Sequence, residues 1–482
     1  MTQMQADIHN GPKVSYGLLL ATVSLGGVLA PINSTMLAVA LPEIRHDFGV
    51  GHGEVAWLVS AYLIAMAVAQ PLGGRLGDQL GRGPVFRTGL ALFLVLSLAI
   101  VASPTFPVLI ALRTCQALIG AAVIPNGMAM LRETQPVTKL GRSGGITSSA
   151  ISVSAAAGPL LGAALLALGS WRFIFLMNVP LVLAGLACFW LLKYPEEAKV
   201  RRFSLDWGGA IVFAALLVTL TLLLNSLKGT DTALLAAAAI AFPVIGVLFV
   251  QRQFSSETPI AEWRLFRNRT YAAATSYVLL TNLVMYTTIL AMPFFVEEVQ
   301  GKGHGTSAAL LGIVSVQSAF LAPISGRISD SVGRRYPALA GSLFVVAGAA
   351  ALLFGISEDV PFWYLAASLG ALGLGLGISM SPTGAAAIES SPRELAGAAA
   401  GTNSMMRYLG SIIGTGMLGA ILSSDAAAPE IGVFRLMFGV LLVMSVLAAL
   451  TTLFIHKFPS HAGPVEMEPL PVNAVSAEVS NA

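Results

Sequence analysis

Apolar residues along this chain fall into long uninterrupted runs, with the charged residues collected between them. The runs occupy 16–41, 54–76, 84–103, 106–131, 144–168 and 171–192, then 207–227 and 232–250, then 271–295, 306–328, 337–356, 362–387, 397–422 and 433–455. Each reaches the ~20 residues an α-helix needs to cross the hydrocarbon layer. The pattern therefore predicts an all-α integral membrane protein with 14 transmembrane helices, arranged as six, two and six. Residues 194–206 are too charged to enter lipid and close the first set. The expected organisation is an N-terminal segment 1–15, a six-helix bundle 16–193, a linker 194–270 holding two inserted helices (207–227, 232–250), a second six-helix bundle 271–456 and a tail 457–482. Residues 1–15 lack the features of a cleaved leader, so the first span is expected to stay in place. The tail is rich in Pro, Glu, Val and Ser without helical period and is expected to be disordered.

Two stretches show that the halves are related. Residues 71–83 read Pro-Leu-Gly-Gly-Arg-Leu-Gly-Asp-Gln-Leu-Gly-Arg-Gly, and 252 positions later residues 323–335 repeat Pro, Gly, Arg, Asp, Gly and Arg in register. Gly158 and Gly162 recur at the same offset as Gly410 and Gly414. Such a repeat implies two homologous, pseudo-symmetric bundles. Each copy of the longer motif lies between two apolar runs, which places it in a short loop at a membrane surface. There Asp78 can pair with Arg82, and Asp330 with Arg334, across one helical turn.

Composition and charge sharpen this picture. Apolar residues are 56% and charged residues 11% of the chain, against about 25% charged in soluble domains. Of 27 Lys and Arg, 20 fall on the side that holds the repeated loops, while the opposite loops hold Arg45, Arg172, Lys228 and Lys302. That bias places both termini in the cytoplasm, in a multi-pass protein of the cytoplasmic (inner) membrane. Cys115 and Cys188 sit inside apolar runs and suggest neither disulfide nor metal. No Gly-x-x-x-x-Gly-Lys-Ser/Thr loop is present to support an ATP-driven pump. No cofactor and no nucleic-acid partner is implied.

The pattern Gly-x-x-x-Asp-x-x-Gly-Arg resembles the cytoplasmic loop signature of the major facilitator superfamily, between its second and third helices. The count of fourteen spans is similar to that of its drug:proton antiporters. The resemblance covers residues 16–456 and extends to Trp171-Arg172-Phe173-Ile174-Phe175 with Asn178-Val179-Pro180, to Asp206-Trp207 and to Leu265-Phe266-Arg267. It implies that Asp78, Arg82, Asp330 and Arg334 latch the halves together on the cytoplasmic side and release as the carrier changes state. Gly158, Pro159 and Gly162 on the fifth span resemble that family's antiporter signature, which accompanies export, although Ser154 and Ala163 stand where glycine is usual. Arg113 and Gln116 match its fourth-helix Arg-x-x-Gln, where the arginine is implicated in proton coupling.

One departure matters. Where fourteen-helix exporters show an acid on the first span, this chain has Asn33, and an amide carries no proton in the physiological range. At 1.5 Å per residue, Asn33 lies ~12 Å and Arg113 ~10 Å below the outer surface, so the two can meet across a cavity. A guanidinium at that depth costs on the order of 2.5 to 3.5 kcal/mol and must find partners or water. Glu54 and Glu133, both near span ends, are the first candidates for a relocated proton carrier. Tyr62, Gln70, Asn126, Asn178, Asn282, Gln317, Asn403, Arg407 and Tyr408 are candidates to line the substrate path. Two buried cations without a buried anion point toward neutral, amphipathic or anionic substrates.

The expectation is a secondary active transporter, acting as a monomer in the lipid bilayer and not as an enzyme. It exports small amphipathic molecules by alternating access, coupled to protons. An uncoupled facilitator is the alternative that Asn33 favours, and a receptor that has lost transport is a third.

Overall fold

The computed structural model describes residues 15–134, 137–192, 194, 206–226, 232–256, 263–392, 395–422 and 431–457. Among these, regular structure is helical throughout. Over the described residues twelve helices are long and apolar enough to span a membrane, and two more of similar length complete a set of fourteen. They are α1 (Tyr16–Phe48), α2 (His52–Leu80), α3 (Arg82–Val101), α4 (Phe106–Thr134), α5 (Val137–Leu166), α6 (Arg172–Leu192) and α7 (Trp207–Ser226), followed by α8 (Thr232–Ser255), α9 (Arg269–Val299), α10 (His304–Val332), α11 (Arg335–Gly355), α12 (Phe362–Glu389), α13 (Ala396–Leu422) and α14 (Ile431–Thr452). The chain is thus an all-α integral membrane protein of two pseudo-symmetric bundles, α1–α6 and α9–α14, with α7 and α8 inserted. Residues 1–14 and 458–482, and with them the expected tail, lie outside the described residues.

Three boundaries depart from the hydropathy reading. First, α1 continues past residue 41 to Phe48, because Pro42 removes only one helical hydrogen bond. It stops where Gly49 turns left-handed at φ 64°. Its extra turns carry Glu43, Arg45 and Asp47. Second, the repeated motif is mostly helix and not loop: residues 71–80 finish α2 and residues 323–332 finish α10. The reversal is confined to Gly81 at φ 93° and Gly333 at φ 91°, a backbone region that glycine enters without strain. Third, α4 is interrupted at Ala121 and Ala122, where Asn126 Nδ2 donates to Ala122 O at 2.7 Å and to Gly73 O at 2.8 Å. Asn126 therefore pins α4 to α2.

Packing repeats the sequence symmetry. In each bundle the first helix crosses the fifth, α1 on α5 and α9 on α13, with the glycine pairs at the crossings. A methyl group on Gly162 would meet the Met36 carbonyl oxygen at 2.9 Å, and one on Gly414 would meet the Leu283 carbonyl oxygen at 2.8 Å. Only glycine permits backbones that close, and in lipid such contact is a principal source of helix association. The bundles meet along two symmetric seams, α5 with α10 and α2 with α13.

The inserted α7 packs on α13 and α2, with α8 outside it. The most apolar stretch of α8 is only 6% buried, so α8 faces lipid. Asp206 anchors this pair by accepting from the Gly209 amide at 2.8 Å and from Arg252 Nη2 at 2.8 Å. Burial alone would raise its carboxyl, but these donors outweigh it and hold Asp206 below the usual carboxylate value.

Gly162→Val and Gly414→Val are each expected to lower the unfolding midpoint of the detergent-solubilised protein, by an overpacking cost of about 1 to 3 kcal/mol. Gly401→Ala, with open space around its Cα, should leave the midpoint unchanged or raise it. Unchanged midpoints for both valine variants would show that the crossings are not close.

Candidate functional site

Between the bundles lies a cavity of about 1320 Å³. Its depth is set by Ser34 of α1, Tyr62 of α2, Tyr286 of α9, and Arg407 and Tyr408 of α13, and it extends to Arg327, Asp330 and Arg334 at the repeat-loop face. Apolar walls come from residues such as Met66, Met285, Leu290 and Met380. Ser34 and Tyr286 share a hydrogen bond at 3.2 Å. They are 252 positions apart, so they occupy equivalent places in the two bundles and meet near the symmetry axis. Registering the repeat on α1 would have found Tyr286, which hydropathy alone misses.

Towards the opposite face the cavity is closed. Arg45 Nη2 on α1 donates to Glu298 Oε1 on α9 at 2.7 Å, and His52 Nε2 on α2 lies 2.8 Å from Glu298 Oε2. The His52 ring also meets Phe294 edge-on at 5.3 Å. Glu297, next to it, accepts from Ser307 at 2.7 Å and stands 2.7 Å from His304 within its own bundle. Residues 295–299 form one π-helical turn, which swings these two carboxylates off the α-helical register. Glu297 is thus held locally, whereas the partners of Glu298 come from helices about 250 residues away.

The repeat-loop face is built differently. Arg82 donates to Asp78, to Gly74 O at 2.7 Å and to Asn126 Oδ1 at 3.3 Å, and stands 3.5 Å from Glu133. Arg334 donates to Asp330 at 2.6 Å, to Ser329 at 2.6 Å and to Glu389 at 2.5 Å. The Glu389 hydrogen bond, with help from Asp330, holds its guanidinium above the ordinary arginine value. Every one of these partners belongs to the arginine's own bundle. On this face the two arginines bind within their bundles, while the face across the membrane is bridged between bundles.

Arg113 occupies neither the cavity nor its mouth. It is 1% exposed, so it is solvated by protein alone. Its Nη1 donates to Gln116 Oε1 at 2.5 Å and to Asn33 Oδ1 at 3.4 Å, while Asn33 Nδ2 donates to Asn178 Oδ1 at 2.5 Å. Gln116 and Asn178 both donate to Ser97 Oγ, at 2.7 and 3.2 Å. The result is a closed ring of hydrogen bonds through α1, α3, α4 and α6. Asn33 and Arg113 do meet, but behind the cavity wall and not across it. The guanidinium carbon sits 3.9 Å from the centroid of the Tyr62 ring, a desolvated cation–π contact worth about 2 kcal/mol. Tyr62 thus has one face on the cation and an edge in the cavity. An aspartate at position 33 would bring an anion to Arg113 but could not donate to Asn178.

The remaining expected residues divide by position. Tyr62, Asn282, Arg407, Tyr408, Asp330 and Arg334 line the cavity. Asn33, Arg113, Gln116 and Asn178 form the ring behind it. Gly158, Pro159 and Gly162 lie on α5, where the two glycines face α1. Gln317 packs against Gly370 and Gly373 of α12, and Asn126 holds the break in α4. Neither Gln70 nor Asn403 is among the lining residues. Glu54 is exposed and caps α2, accepting from the Gly51 amide at 2.8 Å. Glu133 is exposed at the repeat-loop face, where it accepts from Tyr194 at 3.0 Å. Neither carboxylate reaches the cavity.

A family model described as the Major Facilitator Superfamily matches residues 23–415. An uncharacterized MFS-type transporter of Bacillus subtilis, YvkA, is 31% identical over 84% of this chain and 90% of that protein. The tetracenomycin C resistance and export protein of Streptomyces glaucescens is 29% identical over 84% of this chain and 76% of its own length. Among solved structures, a D-xylose-proton symporter superposes with a TM-score of 0.66 at 15% identity, over 93% of this chain and all of that one.

If the ring is assembled as described, Asn33→Asp places a titratable group in contact with Arg113. Transport and unfolding midpoint should then both depend on pH more steeply than in the native protein. Superimposable pH profiles would show that position 33 has no electrical contact with Arg113.

Proposed function

This chain belongs to the major facilitator superfamily and is a membrane transporter, and on that footing we propose that it exports small amphipathic compounds by alternating access, driven by protons. The observation that carries this reading is the asymmetric closure of the cavity. One end is bridged between bundles through Glu298, and the other extends to the repeat-loop face, where each arginine is bound within its own bundle. Lys and Arg are concentrated on the repeat-loop face, so we take it as cytoplasmic, with both termini there. The structure is then in the state that loads from the cytoplasm. In the opposite state the contacts of Arg45 and His52 with Glu298 part, and the Asp78–Arg82 and Asp330–Arg334 networks turn from their own bundles toward each other. Rocking of residues 16–193 against 271–456, with linker 194–270 carried on the α13 and α2 side, provides this exchange. The resistance and export named for the Streptomyces relative supports outward direction.

Proton coupling needs a carboxylate that both states use. Glu54 and Glu133 are engaged at exposed helix ends, whereas Glu298 sits on the moving seam, faced by Arg45 of α1, His52 of α2 and, beside it on α9, Glu297. Protonating Glu298 removes the charge that Arg45 binds and so favours opening to the outside, the direction an external proton must push. A second reading, a facilitator without proton coupling, is favoured by Asn33 and by a cavity whose one lining carboxylate among the described residues, Asp330, is paired to Arg334.

Alternating access is tested with Ser34→Cys in a protein lacking Cys115 and Cys188. An impermeant thiol reagent should label it from the cytoplasmic side, and Glu298→Gln should raise outside labelling severalfold. Labelling that ignores both side and variant would sink the model. For coupling, uptake of a fluorescent amphipathic dye by inverted vesicles should collapse on adding a protonophore. Uptake that persists would leave the facilitator.

A further inference from the structure

Among the described residues, no carboxylate answers Arg407. It lies deep within the protein, on α13, yet is exposed to the cavity. Its guanidinium donates to no described side chain; only its backbone carbonyl is engaged, by Ser411. Around it stand phenols: Tyr408 interacts electrostatically with Tyr62, Tyr286 and Arg407. The Tyr62 hydroxyl has no hydrogen-bond partner although the residue is only 3% exposed, so it is a donor held ready in a dry place. Arg113 adds a second positive charge behind Tyr62, and Tyr286 lies within electrostatic range of both arginines. The nearest lining carboxylate along the path, Asp330, is at the mouth and is neutralised by Arg334.

A cation displayed in a cavity beside phenol hydroxyls, one of them without a partner, and with no counter-charge among the described residues is the arrangement that receives an anion. We propose that Arg407, with the hydroxyls of Tyr62, Tyr286 and Tyr408, forms a subsite for the carboxylate of an amphipathic organic anion. The planar guanidinium offers the paired donors that a carboxylate accepts in bidentate fashion. The apolar body of such a compound fits against Met285, Ile289, Leu290 and Met380. Compounds with a quaternary ammonium head are disfavoured, because they would face two arginines with no carboxylate between them. This reading names the cargo class and rests on the transport function proposed above. It also gives Asn33 a reason: an anion leaving a cell whose interior is negative moves down the membrane potential, so its export does not require an acid on the first span.

The test compares two probes with one aromatic body, pyrenebutyrate and the corresponding pyrenylbutyl trimethylammonium, on the purified full-length protein. Pyrenebutyrate is expected to bind at least about tenfold more tightly, the size of one charge-assisted contact. Arg407→Gln should abolish that preference, and Arg407→Lys, which keeps the charge without the fork, should retain part of it. The comparison on the native protein needs no variant, so a misfolded Arg407→Gln does not spoil it. Equal affinity for the two probes, including no binding of either, or tighter binding of the ammonium, would overturn the subsite. A transport arm in vesicles separates the two proposals. Charge-selective binding without movement of pyrenebutyrate would leave the subsite standing and remove export, whereas movement of both probes at equal rates would do the reverse.

Discussion

Backbone contact between the first and fifth helices of each bundle is the constraint from which the rest of the structure follows. Lipid tails are as apolar as the side chains that face them, so helices gain little from hydrophobic burial and must find attraction in close packing. At Gly158, Gly162, Gly410 and Gly414 there is no room for a side chain against α1 or α9. These crossings fix how far α1 and α9 can lean toward each other. They set Ser34 within hydrogen-bond reach of Tyr286 and bring Arg407, on the same helix as Gly410, to the cavity wall.

Charge in this protein is handled in two ways. Arg113 is kept without an anion by a ring of neutral amides and hydroxyls and by the face of Tyr62, an arrangement that holds a fixed charge in place. Buried polar rings of this kind are rigid because loss of any member strands the others. The seam charges are the opposite case. Glu298 binds two helices of the other bundle through contacts that a small rotation would separate, and such contacts suit a state that must end. The arginines of the repeated motif have their partners within their own bundles. Arg407 belongs to neither class: among the described residues no carboxylate pairs with it, and it lines the cavity.

Hydropathy and the repeat made most of the architecture legible. Fourteen spans, the two related halves, the inserted pair and the side on which positive charge gathers all follow from period, length and offset along the chain, because lipid admits so few solutions to backbone hydrogen bonding. The pairing of Asp78 with Arg82 and of Asp330 with Arg334 was readable from their spacing of four. Helix ends were less so: α1 outran its apolar pattern by seven residues, and the motif taken for a loop proved to be helix, since proline and charge at a lipid boundary do not by themselves stop a helix whose next residues still favour it.

The candidate site was legible in kind but not in arrangement. That Asn33 and Arg113 share a depth was a matter of counting residues, yet whether they face water or protein depends on the rotation of α1 and α4, which Tyr62 and Phe175 on other helices decide. Gln317, Asn126 and Tyr408 look alike as polar residues in apolar runs; packing sends the first to α12, the second to the break in α4 and the third to the cavity. The sequence by itself determined what crosses the membrane, how often, and which half mirrors which, because those depend on local transfer energy and chain order. Only the tertiary structure decided which end of the cavity is shut and which cation stands unanswered, because both depend on groups from helices some 250 residues apart coming within 3 Å of each other or failing to.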